Sequence, residues 1–400
     1  MKFLRLLAVA AICTTMQFCG SPEEKTTETS KPDSTSTSTG RAIWTKEKAN
    51  EWYATQPWLV GCNFITSNAI NQLEMFQAES FDTATIDKEL GWAASIGMNT
   101  VRVYLQDLLW TTDSTGFVSR LNTFLAIAKK HNIRPLFVLF DSCWDPFPKT
   151  GKQRDPQPHV HNSGWVQSPG LEILKDTSKQ GPLEGYVKGV VGAFAKDDRV
   201  LGWDVWNEPD NPNASAYGKV ELPEKPNYVL PLLKKAFAWA RAANPSQPLT
   251  SGVWKGNWSN ADSLTPIEKT QIEESDVISF HNYENAAEFQ KRIDWLTPYG
   301  RPLLCTEYMA RGNGSFFKTT LPLAKKYKIA AYNWGLVDGK TQTKYAWDSW
   351  NKKYTASPKL WFHEIFQKDG KPYDKAETDL IRSLTAASGS KPADSTSTKL

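Results

Sequence analysis

Residues 201–211 read LGWDVWNEPDN. The first half has the bulky apolar composition of a strand buried on both faces. Pro209 ends it, because proline has no amide hydrogen to give a sheet ladder. An acid, Glu208, is therefore set at the tip of an apolar strand, between an amide side chain and a proline. What it does there depends on what the rest of the chain builds around it.

The same beat recurs on both sides. Apolar runs at 58–64 (WLVGCNF), 99–105 (NTVRVYL) and 134–140 (RPLFVLF) precede it, and 248–254 (PLTSGVW), 276–283 (DVISFHNY), 301–308 (RPLLCTEY) and 329–335 (IAAYNWG) follow. Helical faces lie between them: Ile86, Leu90 and Ala93; Leu121, Phe124, Leu125 and Ala128; Leu183, Tyr186, Val187, Val190, Val191 and Phe194; Val229, Leu232, Leu233, Ala236 and Phe237. Further helices are expected around 262–274, 286–296, 315–327 and 357–384. The last opens on Ser357-Pro358, an N-cap followed by proline at the first helical position, and Asp374 with Glu377 forms a capping box for its final turn. Eight strand runs alternating with helices predict an α/β fold of parallel strands, and that count favours a closed (β/α)8 TIM barrel over an open sheet. The stretch GCNFITSNAI (61–70) has no glycine-rich phosphate turn, which argues against a dinucleotide-binding sheet. The expected single catalytic domain covers residues 41–386.

The net charge of +4 over 400 residues comes without a basic run, so nucleic acid is not an expected partner. The N-terminus reads as a targeting segment, residues 1–19: MKFLR is positive and residues 6–12 are apolar but too short to span a bilayer. It resembles a bacterial lipoprotein signal with Cys19 as the lipidated residue, although Phe18 stands where a small residue is usual; Cys13 is a second candidate, and simple cleavage with secretion is the alternative. Residues 20–40, rich in Ser, Thr and Pro, read as a disordered linker, and 387–400 as a disordered tail. The expected location is the bacterial cell envelope, with the protein lipid-anchored in the membrane or else secreted. Cys62, Cys143 and Cys305 match no zinc pattern and read as buried free thiols.

In such a barrel the chemistry sits where strands end. Those ends carry Asn63, Arg102 with Tyr104, Asp141, Asn207 with Glu208, Trp254, His281 with Tyr283, Glu307, and Trp334. Glu208 ends the fourth strand and Glu307 the seventh, across the mouth from each other. Two converging carboxylates, one protonated and one ionised, are what glycoside hydrolysis needs.

WNEP at the fourth strand end resembles the Asn-Glu-Pro signature of clan A glycoside hydrolases, including family 5 cellulases and mannanases. FHNY is similar to their His-x-Tyr at strand six, LCTEY to the strand-seven nucleophile segment, Trp334 to their strand-eight tryptophan, and Arg102 in TVRVY to their strand-two arginine. The resemblance implies a retaining hydrolase of β-linked glycans or oligosaccharides, with Glu208 as acid/base and Glu307 as nucleophile. Substrate-binding roles are expected for Arg102, Tyr104, Asp141, Trp144, Asn207, Trp254, His281, Tyr283 and Trp334, with no cofactor, no metal and a monomeric chain. Asp141 stands where many family 5 enzymes have a histidine. Arg102 and Tyr283 would favour the charged form of Glu307; Asn207 would meet the sugar's 2-hydroxyl; an apolar wall would serve Glu208.

The loop after the third strand, about 141–180, is long and aromatic, with Trp144, Trp165 and the run DPQPHVHNSGW, and reads as a wall of a sugar cleft. Within it, His159-x-His161 supplies two metal-type ligands without a spaced third. Trp254, Trp258, Trp347 and Trp350 fall in other mouth-side loops, and at least two of them are expected to stack on sugar. Two other readings remain: a non-catalytic sugar-binding lipoprotein on a hydrolase scaffold, and a transglycosylase that passes the same intermediate to a sugar.

Overall fold

The computed structural model describes residues 40–386. The signal segment with Cys19, the linker up to residue 39 and the tail from 387 lie outside the described residues. Eight strands alternate with helices: β1 Val60–Asn63, β2 Thr100–Tyr104, β3 Arg134–Asp141, β4 Gly202–Asn207, β5 Leu249–Thr250, β6 Ile278–Asn282, β7 Leu303–Tyr308 and β8 Ala330–Trp334. They are hydrogen-bonded in parallel in the order β5-β4-β3-β2-β1-β8-β7-β6. The gap between β5 and β6 is spanned by Val253, whose amide donates to Ser279 O at 3.1 Å and whose carbonyl accepts from His281 N at 3.0 Å. The ring is thus a nearly closed (β/α)8 TIM barrel.

β5 is shorter than the expected 248–254. At Ser251 the ladder gives way to side chains: its amide donates to Ser275 Oγ at 3.1 Å and its hydroxyl to Trp206 O at 2.7 Å. The helical faces named above are buried against the strands. The helix expected over 357–384 is only Lys375–Thr385. Its upstream apolar residues do bury, but as loop: the Ile365 and Phe366 amides both donate to Leu336 O, and Gly370 at φ 82° with Pro372 beyond it breaks helical continuity. Asp374 caps Ala376 N at 2.8 Å, but Glu377 closes no box, because its carboxylate turns to Arg311 instead.

A helix not foreseen, Lys46–Ala54, starts on Thr45 as N-cap. Trp44, Ala49 and Tyr53 pack there with Leu59, Leu136, Leu201, Val277, Leu304 and Ala330 at the strand beginnings, closing the barrel floor. Access is left at the opposite end, where the strands finish.

Candidate active site

Glu208 follows β4 directly and adopts a left-handed backbone at φ 41°, a setting that costs an ordinary residue roughly 1–2 kcal/mol. Pro209 and the bond from Asn211 N to Glu208 O at 2.9 Å hold it there. Glu307 lies in β7, whose pairing slips out of register with β6 near His281 and with β8 between Cys305 and Tyr308. Such irregularities re-aim side chains, and both carboxylates reach one place. One oxygen of Glu208, one of Glu307 and one nitrogen of His281 all lie within 4.8 Å of one another.

Glu307 is surrounded by donors. Arg102 Nη1 and the Tyr104 hydroxyl each donate to Oε1 at 2.8 Å, and the Tyr283 hydroxyl donates to Oε2 at 2.7 Å. Burial alone would raise its pKa; His281 and Arg102, then the Tyr283 and Tyr104 hydroxyls, outweigh burial and hold it below the ordinary carboxylate value. Arg102 is fully buried and is fixed by Asp204 Oδ2, which accepts from Nε at 3.0 Å and Nη2 at 2.8 Å, with Asn63 and Asn207 accepting the remaining hydrogens.

Both oxygens of Glu208 have polar partners. His281 Nδ1 lies 2.9 Å from Oε1, while Asn211 Nδ2 donates to Oε2 at 2.6 Å and the Cys143 thiol at 3.2 Å. The reading of Cys143 as a buried structural thiol is therefore corrected: it is half-buried and lines the cleft beside Glu208. The three groups of the Glu208–His281–Glu307 cluster resemble a metal donor set. Its carboxylate oxygens, however, already accept from protein donors, and Arg102 already supplies the positive charge beside Glu307.

Above this pair opens a cleft of about 430 Å³ whose lining includes Trp144, Asn207, Trp254, Tyr283, Trp334 and Trp347. Asn207 presents only a sliver of itself, since Arg102 Nη2 donates to its oxygen and its own Nδ2 donates to Asp141 at 2.9 Å. Arg102, Tyr104 and Asp141 stand behind the lining residues. Asp141 does not line the cleft: its carboxylate accepts from Trp165 Nε1 at 2.6 Å and from Asn207, and burial pushes its pKa up to about 6. It positions Asn207 rather than facing a ligand. Of the loop tryptophans, Trp254 and Trp347 line the cleft, Trp350 stacks behind Trp144, and Trp258 is buried beside Phe280 and Trp295. His159 and His161 each set Nδ1 on a backbone carbonyl, at 2.9 and 2.8 Å, and do not form a metal pair.

Several contributors escaped the sequence reading. Asn211 had a signal, an amide three residues after a strand-tip acid, and so did Asp204, a charge inside an apolar strand. Lys225 had none: it is buried, pairs with Glu221 at 2.9 Å and donates to Ser142 O and Asn211 O at 3.0 Å, tying the loops after β3 and β4 together.

The family model described as Cellulase (glycosyl hydrolase family 5) matches residues 71–353. No curated protein matches the chain. Among solved structures, GH5_18 from Streptomyces cattleya in complex with Manβ1-4GlcNAc superposes with a TM-score of 0.53 at 14% identity, over 82% of this chain and 80% of that one. The exo-β-1,4-mannosidase Op5Man5 from Opitutaceae bacterium strain TAV5 gives 0.54 at 16% identity, over 82% and 59%. The endo-β-1,4-mannanase from Thermotoga petrophila gives 0.50 at 14%, over 81% and 76%.

Proposed function

Because the chain belongs to glycosyl hydrolase family 5, and so is an O-glycoside hydrolase acting on β-glycans, we propose that it works by double displacement, with Glu307 as nucleophile and Glu208 as acid/base. The observation that carries this reading is the approach of the two carboxylates within 4.8 Å across the mouth. Retaining enzymes hold their carboxyl groups roughly 5–5.5 Å apart, and inverting ones leave about 6.5–9.5 Å for a water.

In the first step a Glu307 oxygen attacks the anomeric carbon while Glu208 gives its proton to the departing glycosidic oxygen. Arg102, Tyr104 and Tyr283 keep Glu307 ionised and aimed. Ester formation removes a negative charge from beside His281 and Glu208, so Glu208 can return as base. It then takes a proton from the water that attacks the same carbon, and the sugar leaves with its configuration retained. Asn207, braced by Arg102 and Asp141, is set to meet the sugar's 2-hydroxyl, and Trp334 gives the ring an apolar face.

The residues lining the cleft include neither lysine nor arginine, which favours a neutral glycan over one bearing uronic acids. β-Mannosides are the first class to test, since two of the similar folds are named as a mannosidase and a mannanase. Screening aryl β-glycosides and β-glycans with Glu307→Gln and Glu208→Gln as controls tests the reading; loss of about 100-fold or more in kcat is expected from each, and unchanged rates would end it. We also propose that the protein is a monomer anchored in the envelope by lipid on Cys19 ahead of the 20–40 linker. Release from membranes in Cys19→Ala, with a monomeric mass in solution, is the expected outcome.

A further inference from the structure

The cleft is blind on one side. The loop after β3 and the loop after β8 are sewn together: Asn162 N donates to Thr341 O at 2.8 Å, His161 N to Ser349 Oγ at 3.0 Å, and Trp350 Nε1 to His161 O at 2.8 Å. Trp350 stacks on Trp144 at 5.7 Å, and Asn351 Nδ2 reaches Ser215 O at 3.2 Å, bringing the loop after β4 into the same wall. Tyr283, the partner of Glu307, closes edge-on against Trp347 at 5.1 Å. The nucleophile side of the cleft therefore ends in protein. Asn211 and Trp254 belong to the other side, that of Glu208.

Two imidazoles stand in that blind end. His161 and His363 are buried, line the cleft and have ring centroids 5.5 Å apart. Each sets Nδ1 on a backbone carbonyl, His161 on Tyr345 O at 2.8 Å and His363 on Met309 O at 2.6 Å. A carbonyl only accepts, so Nδ1 carries the hydrogen and Nε2 of the neutral ring keeps a lone pair. Burial drives both pKa values down, His161 to about 4 and His363 well below the usual histidine value, so both rings are neutral at neutral pH. His363 Nε2 is buried and has no partner among the described residues. A bare acceptor in such a place costs free energy until a donor fills it, and sugar hydroxyls are donors. His363 lies one ring from the nucleophile, since it packs on Tyr283 at 5.5 Å.

In double displacement the nucleophile side holds the sugar whose anomeric carbon is attacked, and the acid/base side holds the leaving group. We propose that the blind end seats the non-reducing terminal sugar of a neutral β-glycan, with His161 and His363 accepting hydrogens from its hydroxyls, so that the enzyme removes single sugars from chain ends. This rests on the roles proposed for Glu208 and Glu307.

The test uses the full chain with short β-1,4-manno- and cello-oligosaccharides labelled at the reducing end. Wild type should release unlabelled monosaccharide and shorten the labelled chain one sugar at a time. His363→Leu should lower kcat/KM about tenfold or more, with His363→Gln, which returns an acceptor near the Nε2 position, recovering part of it. A mono-deoxy analogue of the terminal sugar should cost wild type a similar factor and cost His363→Leu little further. His161→Leu gives an independent variant if His363→Leu melts early. Labelled fragments of every length from the first minutes, with Glu307→Gln inactive, would overturn the chain-end proposal and leave the glutamate roles standing. Deoxy and histidine losses that multiply at every hydroxyl would also overturn it. Turnover that survives Glu307→Gln would take down the catalytic reading and this proposal with it.

Discussion

Removing one hydroxyl from beside Glu307, the proposed nucleophile, should move the acidic limb of the pH profile in a known direction. Tyr283 donates to Glu307 Oε2 at 2.7 Å, and Tyr283→Phe deletes that donor while keeping the ring that packs on Trp347 and His363. A hydrogen bond to a charged group contributes about 1.5–3 kcal/mol, which corresponds to roughly one to two pH units of carboxylate titration. The sign follows from the folded state: Glu307 is held below its ordinary pKa, partly by this hydroxyl, so losing the donor raises it. Arg102 and Tyr104 still hold Oε1, so the rise should be partial. The stability that Glu307 contributes when ionised, present above its unfolded pKa and lost as pH falls through the folded value, should then be lost at a higher pH in the variant. The assay is kcat/KM against pH on an aryl β-glycoside, which reports the free enzyme. The acidic limb should shift upward by about one to two pH units, with the basic limb in place. An acidic limb that stays where it was, in a variant that melts like wild type, would refute the electrostatic reasoning.

Two further perturbations probe the scaffold. Burial raises Glu364 to about 8, Thr343 donates to its Oε1 at 2.5 Å, and Oε2 has no partner among the described residues; stability from such a raised acid is fully present below its unfolded pKa and lost as pH rises through the folded one. Glu364→Gln should therefore flatten the decline of melting temperature toward about pH 8, and an equal decline in both proteins would contradict it. Lys225→Met leaves Glu221 buried without its partner and should cost about 3–5 kcal/mol by denaturant unfolding. Because Lys225 also holds Asn211 O, and Asn211 bonds Glu208, activity should fall along with stability; a variant of normal stability and rate would show the tie to be idle.

The barrel was legible because its evidence is periodic. Eight apolar runs came with helices between them, and the residues at their ends are polar, aromatic and acidic, as a shared mouth explains. The helix at Ala286–Leu296 matches its expected bounds, since its N-cap Asn285 and its apolar face agree. Legibility failed where burial came without regular structure. Trp361, Phe362, Ile365 and Phe366 look like a helical face, yet they bury as a loop, with the Ile365 and Phe366 amides bonded to Leu336 O just past β8. Charged pairs made over long sequence distances, such as Lys340 with Glu74 at 2.5 Å, carry no local signature. In the site, Glu208, Glu307 and the groups sharing their strands could be read from position. Asn211 could be read only from its place three residues after a strand-tip acid, and Cys143 and His363, which come from loops, could not, because loop residues acquire roles only from what the fold sets opposite them.

The most direct measurement is the configuration of the first product formed from a β-glycoside, followed by proton NMR before mutarotation. The proposed attack by Glu307 and then by water would invert the anomeric carbon twice, so the β anomer should appear first. An α anomer appearing first would mean that water attacks directly, and the two glutamates would not act as nucleophile and acid/base in succession.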